Sequence, residues 1–297
     1  MGSLNGGIYT PLVTPFDNDE IDFSALAGNV AKLNSENLQG YVILGSTGEA
    51  KLLDSQEHFR VIETVAAAAD RHDKKIIIGV MEESAKHAVA FMKKAAEFEP
   101  DAFLVLPPNY YKPFIDGKLL YRFYADLKEA IDRPILYYNI PLFSSILIET
   151  ADILSLSNDG LIAGWKDSSD EIERFGELSG RSTDEFIKFT GNAKLLLSAL
   201  QKSADGAILA VSNALPGLCC EIYKRYSEGE ETKAKRAQSK LDDIIDKVIQ
   251  PFGIAGLKTM MNLLGYAGGS MRNPFSGLTD AQTGQVRQFL DSNGFIS

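Results

Sequence analysis

A lysine that follows a short apolar run is the residue of this sequence best suited to covalent chemistry. Residues 161–165 read LIAGW and are followed by Lys166 and then by the turn-forming series Asp-Ser-Ser. This pattern predicts a buried strand that ends at Lys166 and a turn that leads into a helix. Burial disfavours the charged form of a lysine, and the neutral amine is a nucleophile that condenses with ketones. The alternative is a salt bridge from Lys166 to Asp167 or Glu171.

Residues with complementary chemistry follow other predicted strands. Ser46 and Thr47 form a turn after the second strand, where backbone N–H groups can hold a carboxylate. Tyr138 ends the fifth strand, one strand–helix unit before Lys166, and its phenol can transfer protons. Together these residues predict a site for a 2-oxo acid. Other residues at or near the ends of predicted strands are further candidates for the site. They are Tyr110 and Tyr111 after the fourth strand, Gly191 after the seventh and Ile208 in the eighth.

Each of these features also has a plainer interpretation. Residues 45–49 can be an ordinary strand-to-helix turn, and Tyr137 and Tyr138 can be core aromatics. Tyr110 and Tyr111 can be a surface pair or a subunit contact. The three histidines lack the spacing of metal ligands, so no metal site is predicted.

The elements that must position these residues form a regular series. Eight short apolar segments are each followed by a helical pattern, which predicts a parallel sheet. Eight such units in this length predict a closed (β/α)₈ TIM barrel, whose active site lies at the carboxyl ends of the strands. Near-continuous helices follow the eighth strand, so we predict a barrel domain at 1–222 and a C-terminal helical subdomain at 223–297. The eight segments are 7–14, 40–44, 76–80, 102–106, 135–138, 161–165, 186–190 and 206–211.

Composition excludes several other classes of protein. The chain has 297 residues, 45% hydrophobic and 24% charged, with a net charge of −10 and no long basic run, so nucleic-acid binding is not expected. No apolar segment approaches the ~20 residues of a membrane span, and the start has no signal-type apolar region. The adjacent Cys219 and Cys220 cannot staple the fold, which favours a reducing, cytoplasmic location.

Three motifs, in this order, resemble the dihydrodipicolinate synthase/N-acetylneuraminate lyase superfamily. They are GSTGE at 45–49, YNIP at 138–141 and GWKDS at 164–168. The similarity runs from about Gly7 to the end of the chain. The run FGIAGLK at 252–258 looks closest to the 4-hydroxy-2-oxoglutarate and 2-keto-3-deoxy sugar acid aldolases.

The resemblance implies a role for each matching residue. Lys166 would form a Schiff base with pyruvate, without a metal or an organic cofactor, and Tyr138 would be its acid/base. Ser46 and Thr47 would hold the carboxylate, and Tyr111 would complete a proton relay, often across a subunit contact. Members are commonly homotetramers built as dimers of dimers. The remaining residues assigned to the site are Ser168, Gly191 and Ile208 in the substrate pocket, and Tyr110 as the alternative relay residue.

Two departures from the family's patterns narrow the expected function. Dihydrodipicolinate synthases carry an arginine two residues after the motif's proline, where this chain has Phe143. Sialic acid lyases carry an Asp-Glu pair where this chain has Ala193 and Lys194. An unpaired carboxylate is costly to bury beside Phe143, so the aldehyde's distal end should be uncharged there, as in a hydroxy-aldehyde.

We therefore expect a class I aldolase that cleaves or forms a 2-keto-3-deoxy sugar acid or another 4-hydroxy-2-oxo acid, with pyruvate as one partner. Two alternatives stay open. One is a synthase-type condensation of pyruvate with an aldehyde. The other is a catalytically silent barrel that acts as a binding module.

Overall fold

The computed structural model describes residues 4–146, 148–179 and 185–296, and a closed barrel of eight parallel strands forms its centre. The first strand pairs with both the second and the eighth, which closes the barrel. This architecture confirms the predicted TIM barrel. In chain order the strands are β1 (Gly7–Pro11), β2 (Gly40–Ile43), β3 (Lys75–Val80), β4 (Ala102–Val105), β5 (Ile135–Asn139), β6 (Gly164–Asp167), β7 (Ile187–Thr190) and β8 (Gly206–Ile208).

Helices surround the barrel, and apolar side chains from their inner faces join the outer core. A short antiparallel hairpin, Phe16–Asp17 with Glu20–Ile21, follows β1. Short 3₁₀ turns lie at Ala50–Leu52, Ala96–Phe98, Lys112–Phe114, Ala193–Leu195 and Ala210–Asn213. The α-helices are Phe23–Leu33, Ser55–Ala68, Ala85–Ala95, Gly117–Ala130, Pro141–Ser144, Thr150–Asn158, Glu173–Ser179, Leu196–Gln201, Pro216–Ser227, Glu231–Ile244, Gln250–Leu263 and Asp280–Ser292.

Strand side chains alternate between the barrel interior and the layer beneath the helices. Tyr138, Phe189 and Ile208 belong to the interior cluster. Tyr137 and Trp165, each next to a candidate site residue, belong to the outer core. This alternation turns Tyr138 and Lys166 toward the inside of the barrel.

The sixth strand lies later in the sequence than predicted. The prediction placed its apolar run at 161–165 and its carboxyl end at Lys166, whereas β6 is Gly164–Asp167. Leu161 instead closes the preceding helix, because its amide donates to the carbonyl of Leu156 at 2.9 Å. Lys166 is therefore held by strand pairing on both sides, which fixes its backbone more firmly than a strand end would.

The C-terminal helices pack onto the barrel without a clear break in the chain. The predicted boundary between residues 222 and 223 falls inside the helix Pro216–Ser227, which contacts both β1 and the helix Glu231–Ile244. The division into two units stays a prediction, and its residues 1–3 and 297 lie outside the described ranges. Within those ranges no helix has the length and apolar character needed to cross a bilayer.

The C-terminal part also returns to the carboxyl end of the barrel. The helix Gln250–Leu263 is broken at Gly253, whose φ of 55° and ψ of −137° suit only glycine. Further on, both terminal nitrogens of Arg272 bind the Glu57 carboxylate, at 2.7 and 2.5 Å. Arg272 also donates to the carbonyl oxygens of Asp19 and Leu52. These bonds anchor the segment around Arg272 over the mouth of the barrel.

The Arg272–Glu57 pair predicts a pH-dependent contribution to stability. The hydrogen bonds from Arg272 hold the pKa of Glu57 below its ordinary value of 4.5. A carboxylate with a depressed pKa stabilises the fold fully above its unfolded pKa, and this contribution is lost as the pH falls through the folded pKa. We expect Glu57→Gln to lower the free energy of unfolding by about 1.5–3 kcal/mol at pH 7, with the difference from the unmodified protein shrinking below pH 4.5.

Urea denaturation between pH 7 and pH 3 measures this difference. Glutamine keeps the side-chain oxygen that accepts from the amide of Asp54, so the helix cap is retained. Glu63→Gln, on the exposed face of the same helix, is the matched control and should have little effect. A difference for Glu57→Gln that is independent of pH would contradict this account.

Candidate active site

The neighbouring strands β5 and β6 bring Lys166 and Tyr138 together through their register. Tyr138 is paired directly with Lys166 in the parallel ladder, and both side chains point inward. The amine of Lys166 donates to the Tyr138 hydroxyl at 3.3 Å. A lysine and a phenol at the carboxyl end of a barrel are thus within hydrogen-bonding distance, as the sequence predicted.

The next pair of residues along β5 and β6 faces outward, and its hydrogen bonds fix the register of the two strands. Asn139 is paired with Asp167, and the Asn139 amide donates to the Asp167 carboxylate at 2.7 Å. The other contact to that carboxylate oxygen comes from the backbone amide of Ser169 at 2.9 Å. A slip of one residue would break these bonds and turn Lys166 away from Tyr138. Sequence reasoning assigned no role to Asn139, although its motif was recognised.

The Lys166 ammonium is almost fully enclosed, with only 5% of the residue exposed. It lies 4.3 Å from the centre of the Tyr138 ring. It forms no ion pair with any residue that the structure describes. Asp167 is engaged by Asn139, and Glu171 pairs with Arg174 at 3.5 Å. The salt-bridge interpretation of Lys166 is therefore wrong, and the amine is left facing the barrel interior.

The turn after β2 places a hydroxyl and two backbone amides beside this pair. The Ser46 hydroxyl lies 3.3 Å from the Tyr138 hydroxyl, which extends a chain of three polar groups from Lys166. The amides of Gly48 and Glu49 are used inside the turn. Among the described residues, no acceptor is bound to the amides of Ser46 and Thr47. These two free N–H groups suit a carboxylate, which is the predicted role of the turn.

Gly191 lies directly against the amine-bearing side chain. A Cβ atom at this position would come within 2.8 Å of the Lys166 Cε and 2.0 Å of the Ser168 hydroxyl oxygen, so any larger residue would displace both. Ile208 is buried in the barrel interior together with Tyr138. Gly191 and Ser168 thus lie close to the Lys166 side chain, and Ile208 shares the barrel interior with Tyr138. Their role in a substrate pocket stays a prediction.

The other predicted residues lie farther out. Tyr110 and Tyr111 stack edge-to-face on each other and are 75% and 67% exposed. Within the described chain neither makes a hydrogen bond to Tyr138. Phe143 lies past β5, is 61% exposed and lines a cavity that also reaches Ser46. A relay through Tyr111 or Tyr110 thus stays a prediction that involves a second copy of the chain.

A buried ion pair beside the site was missed by sequence reasoning. Lys258 contacts the Glu49 carboxylate at 2.5 Å and donates to the Ser270 carbonyl at 2.7 Å. Burial raises the pKa of Glu49 and lowers the pKa of Lys258, and their mutual contact opposes both shifts. The pair ties the Ser46 turn to the C-terminal helix. The only sequence signal for it is that Glu49 and Lys258 each end a recognised motif.

The described residues contain no group of three or more histidine, cysteine, aspartate or glutamate side chains that could hold a metal ion. What the site does contain is a buried amine, a phenol, a hydroxyl and two free amides. This set can bind a 2-oxo acid by its carboxylate and attack its ketone with the amine. The fold and the site define a barrel of the class I aldolase type.

Comparisons with known proteins agree with this class. The model of the dihydrodipicolinate synthetase family matches residues 4–293. A 4-hydroxy-tetrahydrodipicolinate synthase of Gluconacetobacter diazotrophicus is 30% identical over 294 residues, covering 98% of both chains. The synthase of that name from Bradyrhizobium diazoefficiens is 29% identical over 98% of this chain and 97% of its own. The crystal structure of a dihydrodipicolinate synthase from Bacillus anthracis has a TM-score of 0.91 at 25% identity, covering 98% and 99%.

The chain therefore belongs to the dihydrodipicolinate synthetase family, which confirms the resemblance seen in its motifs. It is a carbon–carbon lyase of the pyruvate-dependent class I aldolase type. Enzymes of this family use a covalent Schiff base between a lysine and pyruvate and need no separate cofactor.

The contact between Tyr138 and Lys166 generates a prediction about proton transfer. Tyr138→Phe should keep the ring but lose the hydroxyl, and turnover should fall by roughly 10²- to 10⁴-fold, the usual contribution of a positioned acid/base. The measurement is the rate at which pyruvate methyl protons exchange with deuterium. Tyr137→Phe is the matched control, because the Tyr137 hydroxyl is buried in the outer core and has no hydrogen-bond partner in the described part of the chain. Equal rates for the two variants would make Tyr138 a packing residue only.

Proposed function

We propose that Lys166 forms the Schiff base with pyruvate and that the protein cleaves or forms a 4-hydroxy-2-oxo acid, the class that includes the 2-keto-3-deoxy sugar acids. The observation that carries this proposal is the buried Lys166 amine, which lies 3.3 Å from the Tyr138 hydroxyl and forms no ion pair within the described ranges. Enclosing an ammonium group without a carboxylate partner costs desolvation free energy. A catalytically silent binding module would gain nothing that offsets this cost.

In the direction of synthesis, the Lys166 nitrogen adds to C2 of pyruvate, and the ketone oxygen leaves as water. The iminium loses a proton from C3 to give an enamine, with Tyr138 positioned to carry that proton. C3 then bonds to the aldehyde carbon, whose oxygen takes up a proton. Water finally releases the product and the free amine. Cleavage follows these steps in reverse, and the electron pair of the broken C3–C4 bond returns to the enamine.

The groups around Lys166 supply the remaining functions. The free amides of Ser46 and Thr47 bind the carboxylate of pyruvate, and Ser46 passes protons to and from Tyr138. Gly191 and Ile208 shape the pocket for the three-carbon substrate. The position of Phe143 at the cavity leaves the distal end of the aldehyde without a guanidinium partner.

Assembly into a homotetramer, as a dimer of dimers, is the second part of the proposal. Large apolar side chains that are exposed in the single chain support a contact between copies. Tyr111, or Tyr110 beside it, would enter the site of a neighbouring copy and extend the relay beyond Ser46. The exposed side chains that support this contact are Tyr110, Tyr111, Phe114, Leu142 and Phe143.

A cytoplasmic location accords with the free cysteines Cys219 and Cys220.

Loss of the amine tests the proposal directly. Lys166→Ala should remove turnover while the protein stays folded, because β6 keeps its backbone pairing. Lys166→Arg should be similarly inactive, since a guanidinium does not condense with a ketone. Pyruvate release from a 4-hydroxy-2-oxo acid measures activity, and circular dichroism checks the fold. Lys118→Ala, on an exposed helix position, is the control. Normal turnover by folded Lys166→Ala would end the Schiff-base assignment.

A synthase-type condensation is the second candidate, and two observations favour it. The curated relatives at 30% and 29% identity are named as synthases. In addition, Lys51 lines the cavity beside Phe143 and is the one cationic residue among the described residues lining it. Its amine could pair with a carboxylate on the aldehyde in place of the missing arginine. The amine already donates to the Met81 carbonyl, however, and Lys51 is exposed, so such a pair would contribute little.

Competition between aldehydes separates the two candidates. At fixed pyruvate, we expect glyceraldehyde to exceed aspartate semialdehyde by at least ~10²-fold in kcat/KM, which corresponds to about 2.7 kcal/mol. The physical reason is that Phe143 offers the second carboxylate no partner. If aspartate semialdehyde wins and Lys51→Gln removes its advantage, the synthase assignment replaces the aldolase.

A further inference from the structure

One cavity opens next to the catalytic groups, on the side where the distal end of the aldehyde would lie. It has a volume of about 560 Å³, within the range of small-molecule sites. Its inner end is formed by Ser46, whose hydroxyl lies 3.3 Å from the Tyr138 hydroxyl. A group attached to the aldehyde carbon would extend from the Lys166 region past Ser46 into this space.

Apolar side chains from two distant parts of the chain form its walls. One wall comes from the loops at the carboxyl ends of barrel strands. The other comes from the C-terminal part, held over the barrel by the Lys258–Glu49 and Arg272–Glu57 pairs. Three phenyl rings and two methionine side chains are among these groups. The apolar lining residues are Met81, Leu106, Ile140, Phe143, Phe252, Ile254, Ala255, Met271 and Phe275, with Ala50 and Leu52 beside them.

The polar residues of the cavity are mostly engaged within the protein. Glu49 is paired with Lys258, and the Lys51 amine donates to the Met81 carbonyl. The Ser144 hydroxyl donates to the Ile140 carbonyl at 3.0 Å. The Asn109 amide donates to the Pro107 carbonyl at 3.1 Å. A chain of hydroxyl groups placed here would give up its bonds to water and find few new ones.

On this basis we propose that the aldehyde partner carries an uncharged, apolar group of the size of an aromatic ring, as in benzaldehyde. The inference rests on the proposed function and specifies the electrophile of the same site. The reaction is unchanged: C3 of the enamine bonds to the aldehyde carbon, its oxygen takes up a proton, and water releases the 4-hydroxy-2-oxo acid. An aromatic ring gains from burial between phenyl and methionine side chains, whereas a polyol does not.

The test compares benzaldehyde with glyceraldehyde at fixed pyruvate, in the unmodified protein and in two variants. Phe275 is 55% exposed, so Phe275→Ala removes one wall of the cavity with little risk to folding. We expect kcat/KM for benzaldehyde to exceed that for glyceraldehyde by at least ~10-fold. We expect Phe275→Ala to lower the benzaldehyde value by ~10-fold and leave the glyceraldehyde value nearly unchanged. In the comparison across variants each aldehyde is compared with itself, so differences in intrinsic reactivity between the two aldehydes cancel in that comparison.

The control is Tyr121→Ala, which truncates a partly exposed aromatic residue outside the cavity and should change neither value. A preference for glyceraldehyde, or an equal loss for both aldehydes in Phe275→Ala, would overturn the inference. Deuterium exchange into the pyruvate methyl group needs no aldehyde and reports enamine formation alone. If this exchange occurs but the aromatic preference is absent, the inference fails and the proposed function stands. Without the exchange, both fail.

Discussion

The burial of one ammonium group among barrel side chains is the constraint on which the rest of the site depends. Lys166 has no carboxylate partner among the described residues, and its contact is the hydroxyl and ring of Tyr138. Enclosing an amine in this way carries a desolvation cost that the packing of the barrel must offset. The position is held by the paired register of β5 and β6, in which Tyr138 and Lys166 face inward while Asn139 and Asp167 are bonded outside. The reactive residues therefore depend on rigid strands.

The C-terminal part of the chain completes the site from the other side. Two ion pairs, Lys258–Glu49 and Arg272–Glu57, bind it to loops at the mouth of the barrel. Both contacts are largely shielded from solvent, which strengthens the attraction but makes the loss of either partner costly. The break at Gly253 lets the helical segments change direction at this point. The chain after β8 thus forms one wall of the cavity beside Ser46, and a variant without it would leave that cavity open.

Much of this arrangement was predictable from the sequence because its signals are local. The eight apolar segments and the lysine that follows one of them were sufficient to predict the barrel and to place Lys166, Tyr138 and Ser46 at one end. Strand β6 was misplaced, because residues 161–163 are apolar for a different reason: they close the preceding helix and lead into the barrel. Apolar character alone does not distinguish these two uses.

The contacts that could not be predicted join residues far apart in the chain. Glu49 pairs with Lys258, and Glu57 with Arg272, which is separated from it by 215 positions. No periodicity or composition links such residues, so only the folded structure shows them. The same holds for Met271 and Phe275, which come from a loop that sequence analysis left without a role. For Tyr110 and Tyr111 the sequence predicts a role that the single chain does not show. Both side chains are exposed, and their predicted part in the relay would require a second copy of the chain.

Reduction with borohydride in the presence of pyruvate tests the central claim most directly. The reduced Schiff base is stable, so peptide mapping by mass spectrometry identifies the modified lysine. We expect the mass of one reduced pyruvate on the peptide that contains Lys166, and no adduct in Lys166→Ala. An adduct on a different lysine, such as Lys51 or Lys258, or no adduct in the folded protein, would contradict this expectation.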